Sequence, residues 1–168
     1  MKILITYQSQ TGNTEAVAKS MAEGLEGEDV SVIPASDVDP STLSTFDVVF
    51  LGSGVYANGA GKAINKLVKE AEVLPEKTVL FCTHTNPDSA FWLGVFKKIK
   101  KQIGKKNSSV FAEFDCVGEN RNPQIVEMLL KTQPQLKPGV EAAKDHPDAA
   151  DLENAKKFAS SLLQKIEL

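Results

Sequence analysis

The sequence predicts an α/β fold in which a five-stranded parallel sheet lies between two layers of helices. Five short apolar runs alternate with five longer segments whose apolar residues recur at helical spacing. Such alternation is typical of right-handed β-α-β units, which form a parallel sheet with helices on both faces. The 168 residues contain no linker and no internal repeat, which predicts one domain, residues 1–168.

The strands are predicted from short apolar runs that end at turn-forming residues. They cover residues 3–6, 30–33, 47–52 and 79–83, and the fifth lies within 110–117. The third and fourth runs are continuously apolar, which indicates strands covered on both faces. Because such sheets bind ligands at the carboxyl ends of their strands, the loops after strands 1, 3 and 4 are the first candidates for a site.

The helices are predicted from apolar stripes and cover residues 13–25, 60–71, 89–102, 123–131 and 151–166. The stripe of the third consists of Trp92, Val95, Phe96, Ile99 and Ile103. Asp39 followed by Pro40 favours one helical turn in the loop after strand 2. The proline-containing segment 132–148 is predicted to be an extended loop.

The loop after strand 1 has the chemistry of a phosphate site. Its residues are Ser9, Gln10, Thr11, Gly12, Asn13 and Thr14. Three of them carry hydroxyls, Gly12 allows close backbone approach, and a helix start with unpaired N–H groups follows directly. The loop has no Lys or Arg, and both the Walker and the G-x-G-x-x-G patterns are absent. Such a neutral set fits one terminal phosphate; the alternative is that these residues only cap the helix.

This loop resembles the flavodoxin phosphate loop, [ST]-x-T-G-x-T, with every defining position filled. The order of elements resembles the flavodoxin fold across nearly the whole chain. His146-Pro147-Asp148 before the last helix, with Phe158-Ala159, also resembles the C-terminus of flavodoxin-like proteins. The resemblance implies a flavodoxin-like three-layer sandwich with strand order 2-1-3-4-5 and flavin mononucleotide (FMN) as the cofactor.

The resemblance further implies that the flavin ring lies across the loops after strands 3 and 4. The cofactor-binding candidates in the first loop are Ser53, Gly54, Tyr56, Ala57, Asn58 and Gly59. Tyr56 matches the aromatic that covers one ring face in flavodoxins, although it could instead pack on its own loop. In flavodoxins a peptide beside flavin N5 flips to accept a hydrogen bond from the semiquinone. Asn58-Gly59 is the first choice for that peptide, and Ala57-Asn58 is the second.

The candidates in the second loop are Thr85, Asn86, Asp88, Phe91 and Trp92. Asn86 could bond the pyrimidine edge of the ring, and Asp88 could cap the third helix or add negative charge near the ring. Trp92 and Phe91 are the candidates for the outer ring face, with core packing as the alternative for both. The glycine and tyrosine that flavodoxins usually place beside the acid here are absent.

The net charge of −3 is unevenly distributed, because residues 97–106 contain six lysines and no acid. This stretch is either the solvated face of a helix or a docking patch for an acidic partner. An otherwise acidic chain argues against nucleic-acid binding. Cys82 and Cys116 are predicted to be structural, and His84 and His146 lie in different segments, so no metal site is predicted. No apolar run approaches the ~20 residues of a membrane span, and we expect a cytoplasmic location.

These observations and the resemblance predict a flavodoxin that acts as a low-potential electron carrier. Its partners would be an electron donor, either a reductase or a ferredoxin-like protein, and an acceptor enzyme. No catalytic residue is predicted, because no nucleophile–base pair is evident. The alternative is an NAD(P)H-dependent quinone or flavin reductase on the same fold. A third possibility is a domain that has lost FMN and acts as a binding module.

Overall fold

A computed structural model of the chain describes residues 1–57, 59–85 and 94–166. Five parallel strands form one sheet in the order β2-β1-β3-β4-β5. They are β1 (Lys2–Gln8), β2 (Asp29–Pro34), β3 (Val48–Gly54), β4 (Lys77–His84) and β5 (Ser109–Val117). The predicted fold class and strand order are confirmed. The register aligns the carboxyl ends of the strands, with Gln8 beside Ser53 and Gly54 beside Thr83.

Six helices and two short 3-10 helices surround the sheet in the described ranges. The helices are α1 (Asn13–Glu23), α2 (Lys62–Glu70), α3 (Lys97–Gly104), α4 (Pro123–Thr132), α5 (Lys137–Ala142) and α6 (Ala149–Ile166), with 3-10 turns at Pro40–Thr45 and Pro134–Leu136. The turn predicted after Asp39 is therefore present. The helix predicted over 89–102 begins later among the described residues, at Lys97, after a turn over residues 94–96.

The prediction of an extended loop over 132–148 is wrong, because this segment contains a 3-10 turn and α5. Prolines lie within the first two positions of both elements. There the missing N–H would have no helical acceptor, so proline is compatible with the helix. A proline-rich composition therefore marked helix starts here and not an extended chain.

The core consists of two apolar layers, one on each face of the sheet. α2 and α3 cover the face that includes Leu51 and Leu80, and α1 and α6 cover the face that includes Phe50 and Phe81. All four of these side chains are fully buried. Adjacent residues of β3 and β4 thus enter opposite layers, as their continuously apolar sequences predict. None of the helices in the described ranges combines the length and apolar character that a membrane span requires.

Candidate cofactor-binding site

A cleft of about 1290 Å³ opens at the carboxyl edge of the sheet. Its walls are the loop after β1, the loop after β3, the end of β4, and the segment from the end of β5 through α4. The predicted site residues that line it are Ser9, Gln10, Thr11, Asn13, Thr14, Gly54, Tyr56, Ala57 and Thr85. Parallel strands that end along one edge bring these separate segments together, as expected for this class of sheet.

The loop after β1 has the geometry of an anion site at a helix start. Gly12 has a φ of 88°, in the left-handed region, and α1 begins at the next residue. A Cβ at Gly12 would have no atom within 4 Å, so the backbone here borders open space. The first helical hydrogen bond runs from Ala16 N–H to the Gly12 carbonyl at 2.9 Å. The N–H groups of residues 13–15 precede it and are those that a helix leaves for an external acceptor.

Thr14 is held in place by a residue that the sequence did not point to. The hydroxyls of Thr14 and Thr83 are 2.8 Å apart, and both side chains are buried. A hydroxyl has one proton and two acceptor sites. Thr14 can therefore accept from Thr83 and still donate into the cleft.

Asn13 has a polar atom that requires a further partner. The residue is 6% exposed, and its Nδ2 donates to the Glu119 carbonyl at 2.8 Å. Its Oδ1 is buried and has no hydrogen-bond partner among the described residues. A buried acceptor left in this state costs about 1–3 kcal/mol. A ligand hydroxyl could donate to it, and the ribityl chain of FMN carries hydroxyls, so this acceptor fits the implied cofactor.

A tight turn forms the predicted inner wall of the ring site. Tyr56 N–H donates to the Gly59 carbonyl at 2.8 Å, and Gly59 N–H donates to the Tyr56 carbonyl at 3.0 Å. Ala57 stands at the first central position with a φ of 47°, the left-handed region that primed turns require there. The positive φ falls on Ala57, a member of the second-choice peptide, and Gly59 has no positive φ. Which peptide flips stays a prediction.

Tyr56 contacts both sides of the cleft entrance. A Cβ on Gly54 would lie 3.1 Å from the Tyr56 hydroxyl, so the side chain passes over its own loop. Burial raises the pKa of Tyr56, and a hydrogen bond with the backbone of Gln10 opposes that rise. The tyrosine therefore lies over the loop after β3 and near the loop after β1. Its stacking on a flavin stays a prediction.

Two other predicted residues have hydroxyls with partners inside the protein. The Ser53 hydroxyl accepts from Gly61 N–H at 2.8 Å and donates to the Gly54 carbonyl at 2.6 Å, which closes the loop between β3 and α2. The Thr85 hydroxyl donates to the Gly118 carbonyl at 3.1 Å. These contacts shape the walls of the cleft, and direct cofactor contact by either residue stays a prediction. Asn58, Asn86, Asp88, Phe91 and Trp92 lie outside the described residues.

The segment after β5 is the part of the site that sequence reasoning missed. Gly118 N–H donates to the His84 carbonyl at 2.9 Å, and Glu119 N–H donates to the His146 carbonyl at 2.8 Å. A Cβ on Gly118 would lie 2.7 Å from Asn13 Nδ2, so the absence of a side chain at Gly118 lets this segment approach Asn13 closely. The sequence did carry a signal for this segment, because the predicted fifth strand is parallel to the others and ends at the same edge of the sheet.

The buried titratable side chains near the cleft have partners or stay uncharged. His84 Nε2 lies 3.0 Å from Asp115 Oδ2. Cys82 and Cys116 are buried, and burial raises the pKa of both thiols, that of Cys116 to about 12. A reactive cysteine needs a thiolate, so the burial of both thiols supports the structural role that the sequence predicts.

Known proteins resemble this chain over nearly its full length. A family model described as a flavodoxin domain matches residues 4–160. An uncharacterized protein of Methanocaldococcus jannaschii is 28% identical over 166 residues, which cover 98% of this chain and 99% of the relative. The flavodoxin-like domain-containing protein BilS of Clostridioides difficile is 26% identical over 182 residues, covering 100% of this chain and 99% of BilS.

The fold also matches solved structures. A flavodoxin from the domain Archaea superposes with a TM-score of 0.68 at 18% identity, and the match covers 100% of both chains. At this low sequence identity, the match is evidence for the fold only.

Proposed function

The chain belongs to the flavodoxin domain family, and from this premise we propose that it binds FMN in the cleft and carries electrons one at a time between redox partner proteins. Family membership supports an FMN-type redox flavoprotein. The bound flavin would supply reversible uptake of electrons, and the protein would supply binding, orientation and exclusion of water. The remaining argument concerns what this chain's own residues do.

The observation that supports the proposal most is the start of α1. Gly12 has a left-handed backbone and directly precedes the helix-start N–H groups, and the hydroxyl-bearing Ser9 and Thr11 line the same cleft. The Ser9 hydroxyl accepts from Gly12 N–H at 3.1 Å and can still donate. These groups can bind a phosphate without a metal ion, since helix-start amides and the helix dipole favour a negative charge. The unpartnered Asn13 Oδ1 would accept a hydroxyl hydrogen bond from the ribityl chain. Together they suit a phosphate attached to a polyol.

The test of phosphate binding compares FMN with riboflavin, which lacks the phosphate. Each hydrogen bond to the charged phosphate contributes about 1.5–3 kcal/mol, and about 1.4 kcal/mol is a factor of ten in affinity. Riboflavin should therefore bind at least tenfold more weakly than FMN. Changing Thr11 and Thr14 to Val should also weaken FMN binding at least tenfold. Equal affinities for the two flavins would refute phosphate binding at this loop.

The structure adds a refinement to the choice of variants. Thr14→Val would also remove the partner of the Thr83 hydroxyl, so part of its effect would be structural. Thr11→Val alone avoids this complication. Thr42→Val is a matched control, because its hydroxyl bonds the Asp39 carbonyl in the 3-10 helix and does not line the cleft. We expect weaker FMN binding from Thr11→Val and unchanged binding from Thr42→Val.

The test of the carrier role is an anaerobic redox titration of the FMN-loaded protein followed by visible absorbance. A carrier of single electrons should pass through a spectrally distinct one-electron stage between the oxidised and fully reduced forms. Direct conversion between those two forms, with no such stage, would refute the carrier role and favour a two-electron enzyme.

A second candidate is an NAD(P)H-dependent quinone or flavin reductase, and the extent of the cleft favours it. The cleft volume exceeds the 300–1,000 Å³ of common small-molecule pockets, which leaves room for a second molecule beside the flavin. Its far wall includes Ile125 and Met128 of α4, which are 37% and 61% exposed. Anaerobic mixing with NAD(P)H separates the candidates. Rapid bleaching of the flavin without a partner reductase would favour the enzyme.

A further inference from the structure

Half of the lysines in this acidic protein lie on two neighbouring helices. α2 and α3 pack side by side on the same face of the sheet. Residues 62–72 and 97–106 together hold nine lysines and two glutamates, so the rest of the chain carries a net charge of −10. The exposed members form what we call the lysine face: Lys62, Lys66, Lys69, Lys97, Lys98, Lys101 and Lys105. This is a concentrated positive region on a negative molecule.

The lysine face lacks the compensating acids that other helices of the chain carry. Among residues 1–57, 59–85 and 94–166, one of its members is ion-paired, Lys66 with Glu70 at 4.0 Å. The neighbouring Lys100 of α3, which is counted among the nine lysines, pairs with Glu113 of β5 at 2.6 Å. By contrast, Lys131 pairs with Glu127 and Lys157 pairs with Glu153 four residues away. Pairs of that kind stabilise a helix, whereas like charges at the same spacing destabilise it. Solvation of a helix face alone gives no reason to place so many like charges together, which favours a binding role for the lysines.

The start of the lysine face lies beside the loops that are expected to hold the flavin ring. α2 follows the loop after β3, and α3 follows the loop after β4, so both helices begin at the carboxyl edge of the sheet. Ala60 N–H donates to the Val95 carbonyl at 3.1 Å, which joins the two segments that lead into these helices. Lys62 and Lys97 therefore flank the same end of the molecule as the cleft. A protein that approached the ring edge from this side would meet the lysines first.

We propose that the lysine face is the docking surface for an acidic redox partner protein, which approaches the flavin over the first turns of α2 and α3. The inference rests on the carrier role proposed above. In the exchange, one electron leaves the reduced centre of a donor and enters the flavin, and one electron later leaves for an oxidised acceptor. No bond is made or broken between the proteins. Nucleic acid fits this surface less well, because the charge of −10 on the rest of the chain would repel it.

Electrostatic steering gives the proposal a measurable signature. A patch of one sign raises the association rate of an oppositely charged partner by about 10–10³-fold, and salt reduces that gain. The screening length falls from about 30 Å at 0.01 M ionic strength to about 3 Å at 1 M. The reaction with an acidic partner should therefore slow as salt is added.

The experiment measures electron transfer to and from the FMN-loaded protein by anaerobic stopped flow. The donor probe is a chemically reduced acidic [2Fe–2S] ferredoxin, and the contrasting acceptor probe is basic cytochrome c. The test variant is Lys62→Glu, Lys97→Glu and Lys98→Glu combined. The control combines Lys144→Glu, Lys157→Glu and Lys165→Glu, exposed residues away from α2 and α3, with the same change in net charge. Thermal unfolding of both variants confirms that they are folded.

At low ionic strength we expect the test variant to react at least tenfold more slowly with ferredoxin and faster with cytochrome c, while the control changes both rates far less. Equal slowing by both variants, or rates with ferredoxin that do not depend on salt, would overturn the docking proposal alone. Binding of a short DNA duplex that only the test variant loses, with unchanged ferredoxin rates, would reassign the face to nucleic acid. Failure to take up FMN, or to accept electrons from dithionite, would instead refute the proposed function.

Discussion

The close contact between Gly118 and Asn13 joins the segment after β5 to the phosphate loop, and Gly118→Ala tests it. An added Cβ would lie 2.7 Å from Asn13 Nδ2 and 3.2 Å from its Cγ, so the amide must move. We expect this movement to break the 2.8 Å hydrogen bond from Asn13 Nδ2 to the Glu119 carbonyl. Gly104→Ala is the control, because a Cβ at that helix end would have no atom within 4 Å.

The expected cost follows from the burial of Asn13. A buried amide without its partner costs about 1–3 kcal/mol, and forced overpacking costs a similar amount. We therefore expect Gly118→Ala to lower the free energy of unfolding by about 1–3 kcal/mol. In a domain of this size each kcal/mol lowers the Tm by about 2–4 °C. Gly104→Ala should be neutral or slightly stabilising, since alanine favours a helix over glycine.

A double-mutant cycle with Asn13→Ala isolates the contact. Without the Asn13 amide the new Cβ meets only the Cβ of residue 13, at 3.3 Å, so Gly118→Ala should cost much less in that background. The coupling energy should be at least about 1 kcal/mol, within the range of residues in direct contact. Urea unfolding of the four proteins without flavin measures it. FMN titrations of the same proteins show whether the contact also supports the site, with weaker binding expected for Gly118→Ala.

Two results would refute this reasoning. Additive effects of the two substitutions would show that the Cβ does not act through Asn13. A Gly118→Ala protein as stable as Gly104→Ala would show that the segment after β5 adjusts freely.

Three further predictions concern the ring loop, a surface histidine and the thiols. A Cβ at Gly59 would meet only the Tyr56 carbonyl, at 3.8 Å, so Gly59→Ala should fold normally. Gly59→Val should lower the yield of one-electron-reduced flavin in a redox titration, because valine disfavours positive φ. An unchanged yield would favour the Ala57-Asn58 peptide. A hydrogen bond to the Asp151 carboxylate raises the pKa of His146. The folded state therefore favours protonated His146, so its stabilisation should be complete below about pH 6.5 and lost as pH rises through the folded-state pKa. The midpoint of urea unfolding should fall as pH rises through this range, and this pH dependence should be absent in His146→Gln. Native protein should resist iodoacetamide at neutral pH and react at both cysteines once unfolded; rapid native labelling would contradict their burial.

The sequence by itself determined the strand–helix alternation and predicted a phosphate-binding loop before α1. Both depend on interactions between near neighbours, such as the apolar runs of β3 and β4 and the glycine before α1. The strand order and the proposed cofactor came from the family resemblance, which rests on the same local motif. Local chemistry also misled once, because the prolines of segment 132–148 mark helix starts as well as loops.

Only the tertiary structure decided which distant residues complete the site. Thr83 meets Thr14 across 69 residues, and Glu119 meets Asn13 across 106. Neither pair has a sequence signal, since each depends on strand order and register that place two chain segments at one edge of the sheet. The lysine face has the same origin. The lysine stretch at 97–106 is visible in the sequence, but its continuation onto α2 exists only because two helices pack side by side on one face.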